Sequence, residues 1–187
     1  GIKLHPLGPL FTFALFTGVR LGEATGLRWE DVDFENKTAR IQVQLQRIDS
    51  KLVHKGLKSP TARRTCPLTE QAVDALREAK ISQIVGGYEN GMNLVFLNPE
   101  GWPLDPKYID KKLKEVLANA CLPVMSFHKL RHTAATLMVA GGIPIAQVQK
   151  LLGHSQISLT ANLYAHADLE AKRRAMDVYE QLFRKED

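Results

Sequence analysis

The chain has 187 residues, a formal net charge of +5, 44% hydrophobic residues and 24% charged residues. A chain of this length hides roughly 70% of its unfolded surface in one domain, so it needs no disulfides, and its two cysteines, Cys66 and Cys121, fit neither a disulfide framework nor a paired metal spacing. Because no apolar run approaches the roughly 20 residues that cross a bilayer and residues 1–9 lack a secretory-signal pattern, we expect a cytoplasmic protein with no membrane partner.

The first third of the chain predicts two helices followed by a sheet. Residues 7–18 are apolar and of helix length, and residues 20–27 suit a second, shorter helix. From 38 to 68, apolar residues alternate with polar ones, as in antiparallel strands with one buried face. Within this region, residues 49–60 are expected to form a long hairpin tip.

Positive charge concentrates at this hairpin. Between residues 47 and 64 there are six basic side chains and one acidic side chain, so this stretch carries an excess equal to the net charge of +5 of the whole chain. One interpretation is a solvated, lysine-rich hairpin. The other is a ribbon that follows the phosphates of a nucleic acid.

Helices dominate the remainder. Each predicted helix begins at a capping residue or a proline, and these are Thr69, Asp105-Pro106, Ser126 and Pro144. The helix after Thr69 is expected to bury the stripe Ala72, Val73, Leu76 and Ala79. The helix after Ser126 is expected to bury the stripe Phe127, Leu130, Ala134, Leu137 and Met138. Two further helices are expected at about 156–165 and 168–183. The pattern predicts an α+β fold, mostly α, with one small antiparallel sheet.

A histidine and an arginine share one face of the helix that follows Ser126. His128 and Arg131 are three residues apart, and a guanidinium fork beside an imidazole suits the oxygens of a phosphate. The alternative is a surface arginine and a hydrogen-bonded histidine. His128 and His132 also have the spacing of a two-histidine zinc site, but Lys129 stands where zinc hydrolases place a glutamate, so we expect no metal.

Two other segments contain candidate residues. Arg20 follows a glycine at the start of a helix, where free amides attract anions, and Glu23 can hold its guanidinium. A simple Arg20–Glu23 pair without a ligand is equally open. His154 follows the glycine that ends a helix, and Tyr164 comes ten residues later. Taken alone, this tyrosine is typical of core or rim packing.

Taken in order, these segments resemble the tyrosine recombinase (phage integrase) family. The matching motifs are Thr17-Gly-Val-Arg20-Leu-Gly-Glu23, Lys58 upstream of Arg63-Arg-Thr-Cys-Pro-Leu68, His128-Lys-Leu-Arg131-His, Leu152-Gly-His154-Ser and Tyr164-Ala-His166. Each motif alone is weakly specific. Five in the family's order, spread over residues 20–166, are highly specific.

The resemblance implies a catalytic role for each position. Arg20 and Arg131 correspond to the two arginines that grip the scissile phosphate, and His128 corresponds to the histidine that assists them. His154 occupies the position that hydrogen-bonds the phosphate, and Tyr164 occupies that of the nucleophile.

The resemblance also implies supporting roles around these residues. Lys58 corresponds to the lysine that protonates the leaving oxygen, and Lys55, three residues away, is an alternative. Glu23 is a supporting residue. Lys55, Arg63 and Arg64 are expected to contact DNA.

The function that the resemblance implies is site-specific DNA recombination, integration or excision, through a 3′-phosphotyrosyl intermediate without metal or cofactor. Its implied fold is a helical catalytic domain with a small three-stranded antiparallel sheet. The partners would be double-stranded DNA and further copies of the chain in a tetrameric synapse. Residues 1–187 would form a single catalytic domain, with 168–187 as a tail helix exchanged between protomers, and without the family's N-terminal DNA-clamping domain.

Two alternatives remain beside this interpretation. The first is a type IB topoisomerase-like enzyme that relaxes DNA without site choice. The second is a basic DNA-binding module without catalysis, in which the candidate residues would be scattered in space.

Overall fold

A computed structural model of the chain describes residues 5–49, 51–57 and 62–153. Three residues given catalytic roles by resemblance lie outside these ranges, and they are Lys58, His154 and Tyr164. The helices expected at 156–165 and 168–183 also lie outside them. Within the described ranges, no helix has both the length and the apolar character needed to span a membrane.

The fold is α+β and mostly helical. The helices of the described ranges are α1 (Gly8–Thr17), α2 (Leu21–Thr25), α3 (Glu70–Gly86), α4 (Pro106–Asn119), α5 (Phe127–Ala140) and α6 (Ile145–Leu152). The strands are β1 (Val32–Asp33), β2 (Thr38–Ile41), β3 (Val43–Ile48), β4 (Lys51–Gly56) and β5 (Arg64–Pro67). One short 3₁₀ turn (Trp29–Asp31) precedes β1.

The strands form one three-stranded sheet and one separate hairpin. β2 lies between β1 and β5, with Ala39 opposite Cys66, and both pairings are antiparallel. The predicted three-stranded antiparallel sheet is therefore confirmed. β3 and β4 pair with each other in register from Val43 opposite Gly56 to Ile48 opposite Lys51.

The prediction of a long hairpin tip over residues 49–60 is wrong for the described residues 51–56, which form β4. The chain reverses near Asp49, whose φ is +46°, and β4 then runs directly back along β3. Because β4 is only half-buried, it lacks the strong apolar alternation by which strands are found in a sequence. Main-chain hydrogen bonds to β3, rather than burial of apolar side chains, fix the position of β4.

The core is built around α1, which packs against α3 and α5. A helix that is apolar on every side is stable only when it is buried on every side. The buried residues of α1 are Gly8, Leu10, Phe11, Phe13, Ala14 and Thr17. The predicted stripe of α3 is also confirmed, since Ala72, Val73, Leu76 and Ala79 are all buried.

The predicted stripe of α5 is correct only in its first half. Phe127, Leu130 and Ala134 are buried, but the Leu137 side chain is 60% exposed. The second half of α5 runs past the main core, and its buried contacts turn toward α6 in a small separate cluster. That cluster consists of Ala135, Val148 and Leu152.

Two predicted helix caps are confirmed and one is replaced. The Thr69 hydroxyl accepts a hydrogen bond from the Ala72 amide, and the Asp105 carboxylate accepts one from the Lys107 amide. Ser126 stands at the N-cap of α5 but makes no side-chain cap bond. Instead, the amide of the next residue, Phe127, donates to the Asp110 carboxylate of α4 at 2.8 Å.

The start of α4 therefore bonds to two other elements. Asp110 fixes the first amide of α5, while Asp105, the N-cap of α4, accepts a bond of 2.6 Å from Nη2 of Arg47 on β3. These two carboxylates connect the β3–β4 hairpin to the N-terminus of α5 through one turn and a half of helix.

The end of α1 and the end of α6 approach each other closely at Gly18. Its φ is +65°, in the left-handed region that favours glycine, and a Cβ placed there would lie 2.3 Å from Cδ2 of Leu152. The absence of a side chain at Gly18 therefore lets α6 seat against α1. Gly87, which ends α3 with a φ of +61°, has no atom within 4 Å of the corresponding point.

We expect Gly18→Ala to be more destabilising than Gly87→Ala. Both changes place an alanine in a left-handed conformation, at about 1–2 kcal/mol each. Only Gly18→Ala also forces Leu152 out of its place, which adds about 1–3 kcal/mol. Urea denaturation of the two variants measures the difference, and equal losses would contradict the close packing of α1 and α6.

Candidate active site

A buried glutamate forms the centre of the candidate site. Glu23 lies in the first turn of α2, and its side chain is 0% exposed. Oε1 accepts a hydrogen bond of 2.8 Å from Nη1 of Arg20, and Oε2 accepts one of 2.9 Å from the Arg20 amide. On its other side, Oε2 accepts a bond of 2.9 Å from Nη2 of Arg64. The expected Arg20–Glu23 pair is present, and a second arginine completes it.

Glu23 is ionised in this setting. Burial opposes the charged form, but the hydrogen bonds and charge of Arg64, together with the bonds from Arg20, outweigh it and lower the pKa of Glu23 below its ordinary value. A buried carboxylate thus stays negative because two guanidinium groups are bonded to it.

The Arg20 side chain is anchored by hydrogen bonds but remains accessible to solvent. It is the N-cap residue of α2, and besides Glu23 it bonds the Gly153 carbonyl through Nη2 at 3.2 Å. Its side chain is still 41% exposed. An arginine held in this way can present donors to a ligand at the surface.

Arg131 lies deeper. The residue is 3% exposed on the inner side of α5, where Nη1 donates to the Gly18 carbonyl and Nη2 to the Leu152 carbonyl, both at 2.6 Å. Burial, and then the charge of Arg20, lowers the pKa of Arg131 to about 9, so the group is cationic at neutral pH. Since Arg20 acts on this pKa and the two side chains bond adjacent carbonyls, the structure brings the two predicted phosphate-gripping arginines together.

Arg20, Arg64 and Arg131 converge on the C-terminus of α6. Three successive carbonyls accept from three different side chains: Leu151 from Nε of Arg64 at 2.8 Å, Leu152 from Arg131 and Gly153 from Arg20. The last carbonyls of a helix lack partners within it and carry partial negative charge, so cations there are favourable. Three guanidinium groups and one carboxylate make this cluster of described side chains predominantly positive.

His128 borders the same cluster. It is exposed on α5, and its ring meets that of His132 edge-on, with ring centroids 4.7 Å apart. Burial lowers the pKa of His128 below 6.5, and the charges of His132, Arg131 and Arg20 lower it further. His128 is therefore neutral at pH 7 and lies in the field of both arginines.

Two other predicted residues within the described ranges, Lys55 and Arg63, are not part of this cluster. Lys55 is exposed on β4, in the strand rather than at a hairpin tip, and Arg63 is exposed just before β5. Among the described residues, no group of three or more histidine, cysteine, aspartate or glutamate side chains could hold a metal ion.

Arg64 is the residue whose place differs most from the sequence-based expectation. The family resemblance predicts a DNA-facing surface for it, but its side chain is 7% exposed and its hydrogen bonds run to Glu23 and to main-chain carbonyls. A signal for this was present in the sequence. Side chains two apart on a strand share a face, so Arg64 points to the same side as the buried Cys66.

The comparisons with known proteins consistently match integrases, recombinases and transposases. The family model described as "Phage integrase family" matches residues 7–171. A tyrosine recombinase XerC-like protein of Caldanaerobacter subterraneus subsp. tengcongensis is 33% identical over 97% of this chain and 51% of its own length. The transposase from transposon Tn916 of Enterococcus faecalis is 28% identical over 87% of this chain and 42% of its own length.

A solved structure is similar throughout the fold. The Tn1549 transposon integrase, in complex with transposon right end DNA, has a TM-score of 0.81 at 26% identity, covering 91% of this chain and 58% of that one. The present chain spans about half the length of the relatives it matches.

We expect Glu23→Gln to lower the free energy of unfolding by about 3–5 kcal/mol at pH 7, because it leaves the buried Arg64 without its counter-charge. Asp74→Asn is the matched control. It removes an ion pair with Arg77 in which both side chains are exposed, 63% and 58%, and should cost less than about 1 kcal/mol. Urea denaturation compares both variants with the unchanged chain.

The effect of Glu23→Gln should also depend on pH. The folded-state pKa of Glu23 is lowered, so its contribution is fully present above the unfolded value, near 4.5, and is lost as pH falls through the folded-state value. The gap between the unchanged chain and Glu23→Gln therefore narrows on acidification below about pH 4.5. A gap that stays constant to pH 3 would refute the ionised pair.

Proposed function

The chain belongs to the phage integrase family, and from that premise we propose that it acts in site-specific DNA recombination, cutting and rejoining strands through a 3′-phosphotyrosyl link. The observation that carries the proposal is the convergence of Arg20 and Arg131 on successive carbonyls at the C-terminus of α6, with His128 in the electrostatic field of both. These side chains come from segments more than 100 residues apart. A basic binding module without catalysis has no need to bring them together.

The charge of the cluster suits the electrostatics of the reaction. A phosphodiester carries one negative charge, which rises toward two as a nucleophile attacks. Guanidinium donors fixed in advance stabilise that rise, and pre-organised charge of this kind usually contributes more to catalysis than any other single effect. The exposed part of the Arg20 guanidinium supplies hydrogen-bond donors at the surface. The buried Arg131 adds positive charge behind it.

We assign the nucleophile to Tyr164. A tyrosine hydroxyl has an ordinary pKa of about 10 and is a poor nucleophile when protonated. Neighbouring cations favour the phenolate, and a neutral His128 can accept the departing proton. Attack forms the bond between the phenolic oxygen and phosphorus and releases a 5′-hydroxyl, with His154 as a further donor to the phosphate.

The departing oxygen requires an acid, because an alkoxide is far more basic than a phenolate. We assign this proton transfer to Lys58, with Lys55 on β4 as the alternative. The energy of the cleaved bond is kept in the phosphotyrosyl link, so rejoining is the reverse reaction and needs no nucleotide or other cofactor. In this scheme the positive charge comes from side chains.

The proposed partners are double-stranded DNA and other copies of the chain. The exposed Lys55 and Arg63 give the hairpin side positive charge for phosphate contacts. The similar Tn1549 integrase was solved with its transposon DNA, which supports DNA as the substrate class. We propose that residues 1–187 form one catalytic domain, that residues 168–187 exchange between protomers and that strand exchange takes place in a tetramer on DNA.

We expect Tyr164→Phe to abolish covalent adducts while leaving noncovalent DNA binding intact, because only the attacking oxygen is removed. The probe is a pool of nicked duplexes of random sequence, which traps the intermediate when the short 3′-flanking strand diffuses away. Adducts that survive detergent are counted, and the modified peptide is identified by mass spectrometry.

Tyr108→Phe is the matched control, since Tyr108 is 40% exposed on α4 and lies outside the proposed machinery. It should form adducts like the unchanged chain. Adducts formed by Tyr164→Phe would show that the nucleophile is assigned incorrectly. Relaxation of supercoiled plasmid regardless of sequence would instead favour a topoisomerase-like activity.

The pH dependence of adduct formation should follow His128. If its neutral form accepts the proton of Tyr164, the rate of adduct formation at subsaturating protein, which reports the groups of the unbound protein, rises with pH through the lowered pKa of His128, and the acid limb has its midpoint below 6.5. His132→Asn removes one of the neighbouring charges that lower this pKa, so the midpoint should move part of the way toward 6.5. A midpoint above 6.5 would contradict the role of neutral His128.

A further inference from the structure

Arg64 is the one guanidinium of the cluster that the phosphate-binding scheme does not use. It lies in the first position of β5, and its side chain is 7% exposed, against 41% for Arg20. A side chain so enclosed is poorly placed to reach a DNA backbone while its present bonds are intact. Its position therefore requires another explanation.

The bonds of Arg64 run in two directions. Nη1 and Nη2 donate to the two carboxylate oxygens of Glu23, at 3.3 and 2.9 Å, which is the side-by-side geometry that guanidinium forms with carboxylate. Nε donates to the Leu151 carbonyl at 2.8 Å, and Nη1 also reaches the Ala62 carbonyl at 3.1 Å. One planar group thus ties Glu23 to the last turn of α6.

The fit against α6 is close. A Cβ placed on Gly153 would lie 3.0 Å from Nη1 of Arg64, and the φ of Gly153 is +66°. The next carbonyl, that of Gly153, is the one that Arg20 bonds. Arg64 and Arg20 therefore share both a carboxylate and a helix end.

We propose that Arg64 is a positioning residue for the reaction. Through Glu23 it fixes the orientation of the Arg20 guanidinium, and through the Leu151 carbonyl it anchors the turn from which the chain leaves α6 toward His154. This inference rests on the proposed recombinase function and deepens it. Lysine is not equivalent to Arg64, because a single ammonium cannot reproduce the paired bonds to both Glu23 oxygens together with the bond to Leu151.

A direct role in DNA binding and a positioning role predict opposite results. For Arg64→Lys and Arg64→Gln, we expect the affinity for a random-sequence duplex and its dependence on salt to remain unchanged, as measured by fluorescence anisotropy. We expect the single-turnover rate of adduct formation on the nicked pool, at saturating protein, to fall by about 10²-fold, the usual effect of misplacing a reacting group. Arg63→Gln should instead weaken binding to the duplex, with the salt slope reduced by about 1.

Two control variants separate positioning from stability. Gly87→Ala strains the end of α3, away from the cluster, so it loses stability and should keep the rate of adduct formation. Arg77→Gln removes an exposed arginine and should change neither property. All rates are measured below the unfolding temperature of each variant.

A second measurement needs no DNA. Amide hydrogen exchange followed by mass spectrometry should show faster exchange for residues 145–153 in Arg64→Lys than in the unchanged chain or in Arg77→Gln. Unchanged exchange there would mean that Arg64 does not anchor α6.

The outcomes distinguish this inference from the proposed function. If the unchanged chain forms no adduct with any member of the pool, the proposed function fails, while hydrogen exchange still tests the anchor. If the unchanged chain forms adducts and Arg64→Lys matches its rate, the positioning role is overturned and the function stands. Weaker binding with a shallower salt slope in both Arg64 variants would likewise overturn it in favour of direct DNA contact.

Discussion

Glu23 lies out of contact with solvent between the guanidinium groups of Arg20 and Arg64, and the rest of the site depends on this shared carboxylate. Arg20 is three residues from Glu23, whereas Arg64 is 41 residues away on another strand. The carboxylate therefore joins the start of α2 to β5, and each arginine then bonds the end of α6. Removing any member of this arrangement leaves a buried charge or a buried carbonyl without its partner, which is costly in a low-dielectric interior.

The arrangement also explains how like charges are kept close together. Arg20, Arg64 and Arg131 would repel one another, and after burial, the larger cause, the charges of Arg20 and Arg64 lower the pKa of Arg131. One carboxylate and three helix-end carbonyls supply the opposing partial and full negative charge. What remains is a fixed excess of positive charge beside a neutral imidazole, prepared before any ligand arrives. Charge fixed in this way needs little rearrangement when an anion approaches.

The sequence predicted the elements whose signals are local. The caps at Thr69 and Asp105, the buried stripe of α3 and the Arg20–Glu23 pair each depend on residues within four positions of one another. It failed where the position of an element or side chain is fixed by a partner on another element. β4 is defined by pairing with β3, the first amide of α5 by Asp110 of α4, and the place of Arg64 by Glu23 and Leu151. The family motifs indicated candidate residues, but the contacts of those residues became clear only from the fold.

The start of α4 has a mechanical consequence. Asp105 holds Arg47 of the basic hairpin, and Asp110, five residues later, holds the amide at the beginning of α5. The residue after that amide is His128, so hairpin and histidine are coupled by a rigid spacer little more than a helical turn long. A displacement of the hairpin is therefore transmitted through α4 to the first residues of α5, which include His128. This coupling lasts as long as Asp105 keeps its bond to Arg47 and Asp110 keeps its bond to the Phe127 amide.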